Sequence, residues 1–217
     1  MNPGLLPLTE LLGSVSRTPA EFNRALDAFK AATAAFPEVR GVAEKSAYEA
    51  WLNRFNPIDL AKWLYVLVGV ICFSSFLVGR RPLNRFAFWM LVGILVLHTF
   101  ALGSRIYLTG RPPVVNLYSS AVFIGWACVL AGLALEALHA NGIGNLVAAI
   151  SGGLTLMVAY GLDSGDTMHV LQAVLDTQFW LSTHVITVTL GYGATFLAGV
   201  LGIFSIVQRI AERWTAT

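Results

Sequence analysis

Charged residues are scarce in this chain. Asp, Glu, Lys and Arg make up 12% of its 217 residues, while apolar residues make up 56%. Soluble domains carry about 25% charged residues, so this composition, with a mean hydropathy of +0.69, indicates an integral membrane protein whose surroundings are the lipid bilayer. The net charge of +2 is spread over several connections, which excludes a nucleic-acid surface.

Cysteine and catalytic motifs are equally sparse. Cys72 and Cys128 lie in separate apolar stretches without Cys-x-x-Cys spacing, which excludes thiol exchange and a metal knuckle and indicates small apolar fillers. The sequence also has no Ser/His/Asp set, no phosphate-binding glycine loop and no His-Glu-x-x-His pattern. No catalytic residue is therefore predicted, and binding is favoured over catalysis.

Long apolar stretches fill the second part of the chain. A membrane core of roughly 30 Å needs about 20 apolar residues per helix, and five stretches approach or exceed that length. They are Leu60–Gly79, Phe86–Leu108, Leu117–Leu138, Asn145–Leu162 and Leu181–Val207. The prediction is an all-α, polytopic membrane bundle of about five transmembrane helices over residues 57–217.

Residues 1–56 are more polar and contain no spanning stretch. Thr18-Pro19-Ala20-Glu21 has the pattern of a capping box with proline at the first helical position, and a second amphipathic helix carries Trp51 and Phe55 on one face. Asn56-Pro57 is expected to cap the first spanning helix. This region is predicted to be a small helical domain.

Basic residues near the helix ends predict the orientation, because they are retained on the cytoplasmic side. They cluster on one side of the bundle at Arg80, Arg81, Arg85, Arg209 and Arg213. Residues 1–56, 109–116 and 163–180 are therefore expected outside the cytoplasmic (inner) membrane, and the C-terminus inside. His184 then lies at the outer face.

His184 opens the fifth apolar stretch, shortly after Trp180. Two interpretations stand: an interfacial histidine bonded to a carbonyl, or an axial ligand to haem iron beside an apolar wall. Small residues recur every fourth position below it, which would let another helix or a flat ring approach closely. They are Thr183, Thr187, Gly191, Thr195 and Gly199.

His98 lies in the middle of the second stretch, where an ionisable group is a functional candidate. The alternative is a neutral histidine bonded across helices. Shared ligation of one haem with His184 is disfavoured, because six residues of helical rise separate the two rings by about 9 Å along the membrane normal, whereas two axial nitrogens lie about 4 Å apart. His139 and His169 are expected at the surface.

Two segments resemble a known family. The first contains Leu97-His98-Thr99, Arg105 and Gly110-Arg111-Pro112-Pro113, followed by Asn116-Leu117-Tyr118-Ser119-Ser120 with Phe123 and Trp126; the second is Phe179-Trp180-Leu-Ser-Thr-His184-Val185 with Gly191-Tyr192-Gly193. Together they resemble the CcsA/ResC haem-handling proteins of cytochrome c assembly (system II) over residues 97–207. Ser119 stands where many members have glutamate, and Arg111 where some have histidine.

The resemblance implies binding of haem b at the outer face and its presentation for covalent attachment to apocytochrome c, in complex with a ResB-like subunit. His184 matches the first of two external haem-binding histidines. The family's tryptophan-rich WWD segment is expected beyond Thr217. With Trp180 the outer loops would form the apolar wall. Arg105 and Arg111 would either meet haem propionates or close their loop on backbone carbonyls.

Other functions stay open at this point. The chain would be at most part of a cytochrome c haem lyase complex. It would act there as a haem chaperone or ligase subunit, because no residue could supply electrons or act as an obvious acid or base. One alternative is a membrane scaffold that docks a ResB-like partner and holds no haem. A b-type electron carrier using His98 is the other.

Overall fold

A computed structural model describes residues 5–16, 18–34, 37–78, 81–162 and 178–215. Within these ranges the chain is helical apart from turns and short connections, with no strand, which confirms the predicted all-α class. The helices are α1 (Leu5–Ser14), α2 (Pro19–Thr33), α3 (Pro37–Phe55), α4 (Pro57–Val78), α5 (Arg81–Thr109), α6 (Leu117–His139), α7 (Ile143–Gly161) and α8 (Gln178–Thr215). The chain divides into two compact units, Met1–Phe55 and Asn56–Thr217.

The first unit contains α1, α2 and α3. The predicted capping box at the start of α2 is confirmed: the Glu21 amide donates to Thr18 Oγ1 at 3.4 Å, and the Thr18 amide donates to the Glu21 carboxylate at 3.3 Å. Near the end of α3 the ring of Trp51 stacks on those of Tyr48 and Phe55, with centroids 5.7 Å and 5.4 Å apart. The three rings therefore stack along one face of α3, as the amphipathic pattern predicts.

The second unit contains α4 to α8, and the predicted spans are confirmed, although the first apolar segment begins at Glu44 in α3. Within the described residues five helical segments are long and apolar enough to cross a membrane, which indicates a multi-pass membrane protein. These segments are Glu44–Leu77, Arg81–Thr109, Leu117–His139, Ile143–Gly161 and Ser182–Ile210. The 38 residues of α8 extend for about 57 Å at 1.5 Å per residue, nearly twice the hydrocarbon thickness.

Helix α7 lies at the centre of this unit and α8 at its edge. In α7, 67% of the most apolar 18-residue stretch is buried, compared with 11% in α8. Helices α6 and α7 approach so closely that a Cβ atom on Gly144 would overlap the backbone of Glu136 and Gly132. Small residues therefore allow direct backbone contact, as is common between membrane helices.

The turn between α6 and α7 is organised by a buried carboxylate. Glu136 is 4% exposed and accepts from Asn84 Nδ2 at 2.7 Å and from the Gly142 amide at 2.9 Å. Asn145 Nδ2 in turn donates to the Asn84 backbone and side-chain oxygens. Through these hydrogen bonds Glu136 connects α5, α6 and α7. The N-terminus of α7 also favours a negative charge at this position.

The connection from α5 to α6 ends in a reciprocal cap. The Ser119 amide donates to Asn116 Oδ1 at 2.8 Å, and Ser119 Oγ accepts from the Asn116 and Val115 amides at 2.9 Å. A glutamate at this third helical position would perform the same capping function. Ser119 therefore performs, at the start of α6, the role that glutamate has in a capping box.

Candidate functional site

His184 lies six residues after the first residue of α8, about 9 Å along the helix axis. Its side chain is exposed, and its ring makes no hydrogen bond to any residue in the described ranges. The neighbouring hydroxyls bond their own helix: Thr183 Oγ1 donates to the Phe179 carbonyl at 2.9 Å, and Thr187 Oγ1 to the Thr183 carbonyl at 2.8 Å. The imidazole therefore has both nitrogens available to a ligand.

One face of α8 packs on the bundle. Cys128 Sγ of α6 donates to the Gly193 carbonyl at 3.3 Å, and a Cβ atom on Gly193 would contact Ala127 at 3.8 Å. Val185 and Ile186 pack against the core, and Thr189 is buried. Because this face packs on the bundle, the opposite face of α8 is directed away from it and is exposed.

The opposite face carries His184 and the predicted row of small residues. All of its members are exposed: Thr183, Thr187, Gly191, Thr195 and Gly199. A Cβ atom on Gly191 or Gly199 would have no described atom within 4 Å. Seven residues make about two helical turns, so Gly191 lies almost directly below His184. A row of small residues thus runs along the exposed side of α8 next to the imidazole, with the exposed side chains of Val188 and Tyr192 beside it.

Trp180 lies one turn before His184, on the same side of α8. It is 65% exposed and packs edge-on against Phe179, with centroids 5.4 Å apart and ring planes at 78°. Two exposed aromatic rings therefore pack together just before His184, and the Trp180 ring lies on the same side of α8 as the imidazole. They form an apolar surface of the kind that a porphyrin requires.

The two predicted arginines have different surroundings. Arg105 lies in the last turns of α5, is 9% exposed, and places its guanidinium over the Tyr118 ring at 4.9 Å. Arg111 is exposed, and its amide donates to Thr109 Oγ1 at 3.3 Å. This geometry favours a structural role for Arg105 at the α5–α6 connection, whereas the Arg111 side chain can reach an external anion.

His98 is enclosed by the bundle, with no exposed surface. Tyr65 Oη lies 3.3 Å from its Nδ1, and a Cβ atom on Gly125 would lie 3.7 Å from its Cε1. Its Nε2 makes no well-formed hydrogen bond within the described residues, although the Val122 backbone is near enough to interact with the ring. A porphyrin could reach this ring only if the helices separated, so the geometry favours the cross-helix alternative.

Among the described residues, His139 adds no second ligand. His139 is exposed, and its Nδ1 lies 3.1 Å from the Leu135 carbonyl oxygen. His169 lies outside the described residues, as do Asp163, Asp166 and Asp176. In the described part of the chain no three His, Cys, Asp or Glu side chains are close enough to hold a metal ion. A lone exposed imidazole suits one axial position on haem iron better than a zinc site, which takes three or four protein ligands.

The structure therefore places His184 and Trp180 together on the exposed side of α8. His98 and Arg105, in contrast, are buried among other helices. Sequence reasoning missed Tyr65, the partner of His98. It also missed Lys62, which is 6% exposed, bonds Asp59 at 2.5 Å and lies 4.1 Å from the Tyr160 ring centroid. Only the three-residue spacing of Asp59 and Lys62 could have indicated part of this cluster.

No family model matches the chain. Among curated proteins it is 27% identical over 160 residues to Protein HemX of Brevibacillus brevis, a match that covers 72% of this chain and 58% of that protein. It is 32% identical over 173 residues to Protein NrfI of Wolinella succinogenes, covering 73% of this chain and 18% of NrfI. A third match, 33% identical over 75 residues, is to Protein HemX of Bacillus subtilis and covers 35% of this chain and 27% of that protein. The chain is thus similar to HemX and NrfI proteins and spans less than two thirds of each.

Proposed function

We propose that this membrane protein handles haem b during cytochrome c maturation. His184 is then an axial ligand to the haem iron at the outer face of the cytoplasmic membrane. The observation that carries the proposal is the exposed imidazole of His184, which bonds no described residue and lies beside a row of small residues. Similarity to HemX and NrfI supports a role in haem or cytochrome-related biosynthesis. The resemblance of residues 97–207 to the CcsA/ResC proteins of system II supports the more specific assignment.

The residues present fit one face of a porphyrin. His184 provides one nitrogen for the iron, the Trp180 ring, with Phe179 packed against it, provides an apolar edge, and Gly191 leaves open space two turns from the imidazole. Arg111 is exposed and suits a propionate carboxylate through its planar guanidinium. Bound haem supplies the group that is attached to the Cys-x-x-Cys-His motif of apocytochrome c. The chain's own contribution is to bind and orient, in complex with a ResB-like subunit.

A scaffold without haem is the second candidate. The same face of α8 presents Thr187, Gly191 and Thr195 at four-residue spacing, which is the small-residue pattern of membrane helix pairs. A helix of a ResB-like partner would pack on it without needing the imidazole. The b-type electron carrier has less support, because His98 is enclosed between Tyr65 and Gly125.

Haem titration of the purified protein in lipid nanodiscs distinguishes these candidates. With His184→Ala, the haem affinity read from the Soret band is expected to fall at least about tenfold, equivalent to about 1.4 kcal/mol. His139→Ala is the matched control, since it removes another exposed histidine, and it is expected to leave the affinity unchanged. Equal affinity in the two variants would favour the scaffold.

A further inference from the structure

A second candidate site lies where α4 ends, α5 begins and α6 turns into α7. A cavity of about 720 Å³ opens between these helix ends, within the range of 300–1,000 Å³ that is typical of small-molecule sites. Its lining mixes cationic and aromatic side chains, including Arg81, Arg85, Phe76 and Phe88. Such a lining is suited to an amphiphile that carries a negative charge.

The two arginines supply positive charge and hydrogen-bond donors at the cavity. Arg81 and Arg85 lie one turn apart at the start of α5, and both are exposed. Among the described residues no ion pair of Arg81 or Arg85 is seen, so neither arginine has a described carboxylate partner. Side chains at i and i+4 lie on the same helix face, which lets both guanidinium groups meet one anion.

Glu136 also lines the cavity, but its carboxylate is already engaged. Both of its oxygens accept from the Gly142 amide, and Oε1 also accepts from Asn84 Nδ2. These donors hold the carboxylate in the α6–α7 turn, where the N-terminus of α7 favours it. No ion pair between Glu136 and either arginine is described, so both guanidinium groups keep their hydrogen-bond donors for an external anion.

The position of the cavity identifies the source of the anion. Its arginines begin a segment, Arg81–Thr109, that is long and apolar enough to cross a membrane. The lipid phosphates lie at the ends of such segments, and basic pockets between membrane helices bind acidic lipid headgroups. Phe76 is 43% exposed on the last turns of α4, where its ring can contact an acyl chain.

We propose that this cavity binds an anionic phospholipid. Arg81 and Arg85 bond the phosphate through their planar guanidinium groups, and Phe76 and Phe88 contact the upper part of an acyl chain. The site lies on α4, α5 and the α6–α7 turn, and does not involve His184. It is therefore independent of the proposed haem function.

Lipid retention tests the proposal. The full chain is purified, equilibrated with nanodiscs of phosphatidylcholine and phosphatidylglycerol, and released for native mass spectrometry. Arg81→Gln with Arg85→Gln is expected to lower bound phosphatidylglycerol at least about fivefold, about 1 kcal/mol. Arg54→Gln with Arg209→Gln is the control, since it removes two exposed arginines that do not line the cavity, and it is expected to retain the lipid.

Two further results decide the assignment. Arg81→Lys with Arg85→Lys keeps the charge without the planar fork, and is expected to retain an intermediate amount of phosphatidylglycerol. Equal loss in the cavity and control variants, or no loss in either, would overturn the site. Displacement of the lipid by millimolar inorganic phosphate would identify a soluble phosphate ligand and overturn the lipid assignment.

Discussion

Replacing Gly144 by valine is expected to force α6 and α7 apart and to lower the free energy of unfolding by about 3 kcal/mol. A Cβ atom at this position would meet the Glu136 amide nitrogen, the Gly132 carbonyl oxygen and Glu136 Cβ closer than real Cβ contacts allow. Two of these are backbone atoms, which cannot move aside without shifting α6. The loss is to be measured by unfolding in mixed detergent micelles with increasing dodecyl sulfate.

Gly93→Val is the matched control for this substitution. Gly93 also lies inside a spanning helix, α5, but a Cβ atom there would have no neighbour within 4 Å. Its substitution is expected to change stability by less than about 1 kcal/mol, the scale of glycine helix propensity. If both variants unfold at the same dodecyl sulfate fraction, α6 and α7 are not in backbone contact.

Replacing Glu136 by leucine is expected to cost about 3 kcal/mol, the upper end of the range for bonds to a charged group. The substitution leaves the buried Gly142 amide and the Asn84 side-chain amide without their acceptor. It also removes the negative charge at the N-terminus of α7. The same micelle titration measures the change.

Glu136→Gln separates acceptor loss from loss of charge. Glutamine keeps one acceptor oxygen, but an NH2 donor replaces the second carboxylate oxygen. It therefore cannot accept all the hydrogen bonds that Glu136 accepts from the Gly142 amide and Asn84 Nδ2. An intermediate loss of stability is therefore expected. A Glu136→Leu variant as stable as the unsubstituted protein would mean that the carboxylate does not organise the turn.

The spanning helices could be predicted because the bilayer sets their length and composition. Any run of about 20 apolar residues must satisfy its backbone within the segment, which a helix does. Local caps were equally predictable: Thr18 and Glu21 bond as their spacing indicates. Helix α1 was not predicted, because Leu5–Ser14 is too short to span and has no acidic or basic residue that marks its ends.

The surroundings of the candidate residues could be predicted less well. The position of His184 beside Trp180 follows from the sequence, since both lie on one helix. The enclosure of His98 does not, because it depends on Tyr65 of α4 and Gly125 of α6, which contact it from other helices. The cavity at Arg81 and Arg85 likewise depends on how the ends of α4 and α5 meet the α6–α7 turn, which no periodicity within one helix specifies.

Chemical rescue of His184→Gly tests whether this imidazole binds the iron. The variant is loaded with haem b in nanodiscs, passed through gel filtration to remove unbound haem, and its Soret absorbance is compared with and without added imidazole. We expect little protein-bound haem without imidazole and recovery of the band with it, while His139→Gly retains haem in both conditions. Full haem retention by His184→Gly without imidazole would contradict the assignment of His184 as the axial ligand.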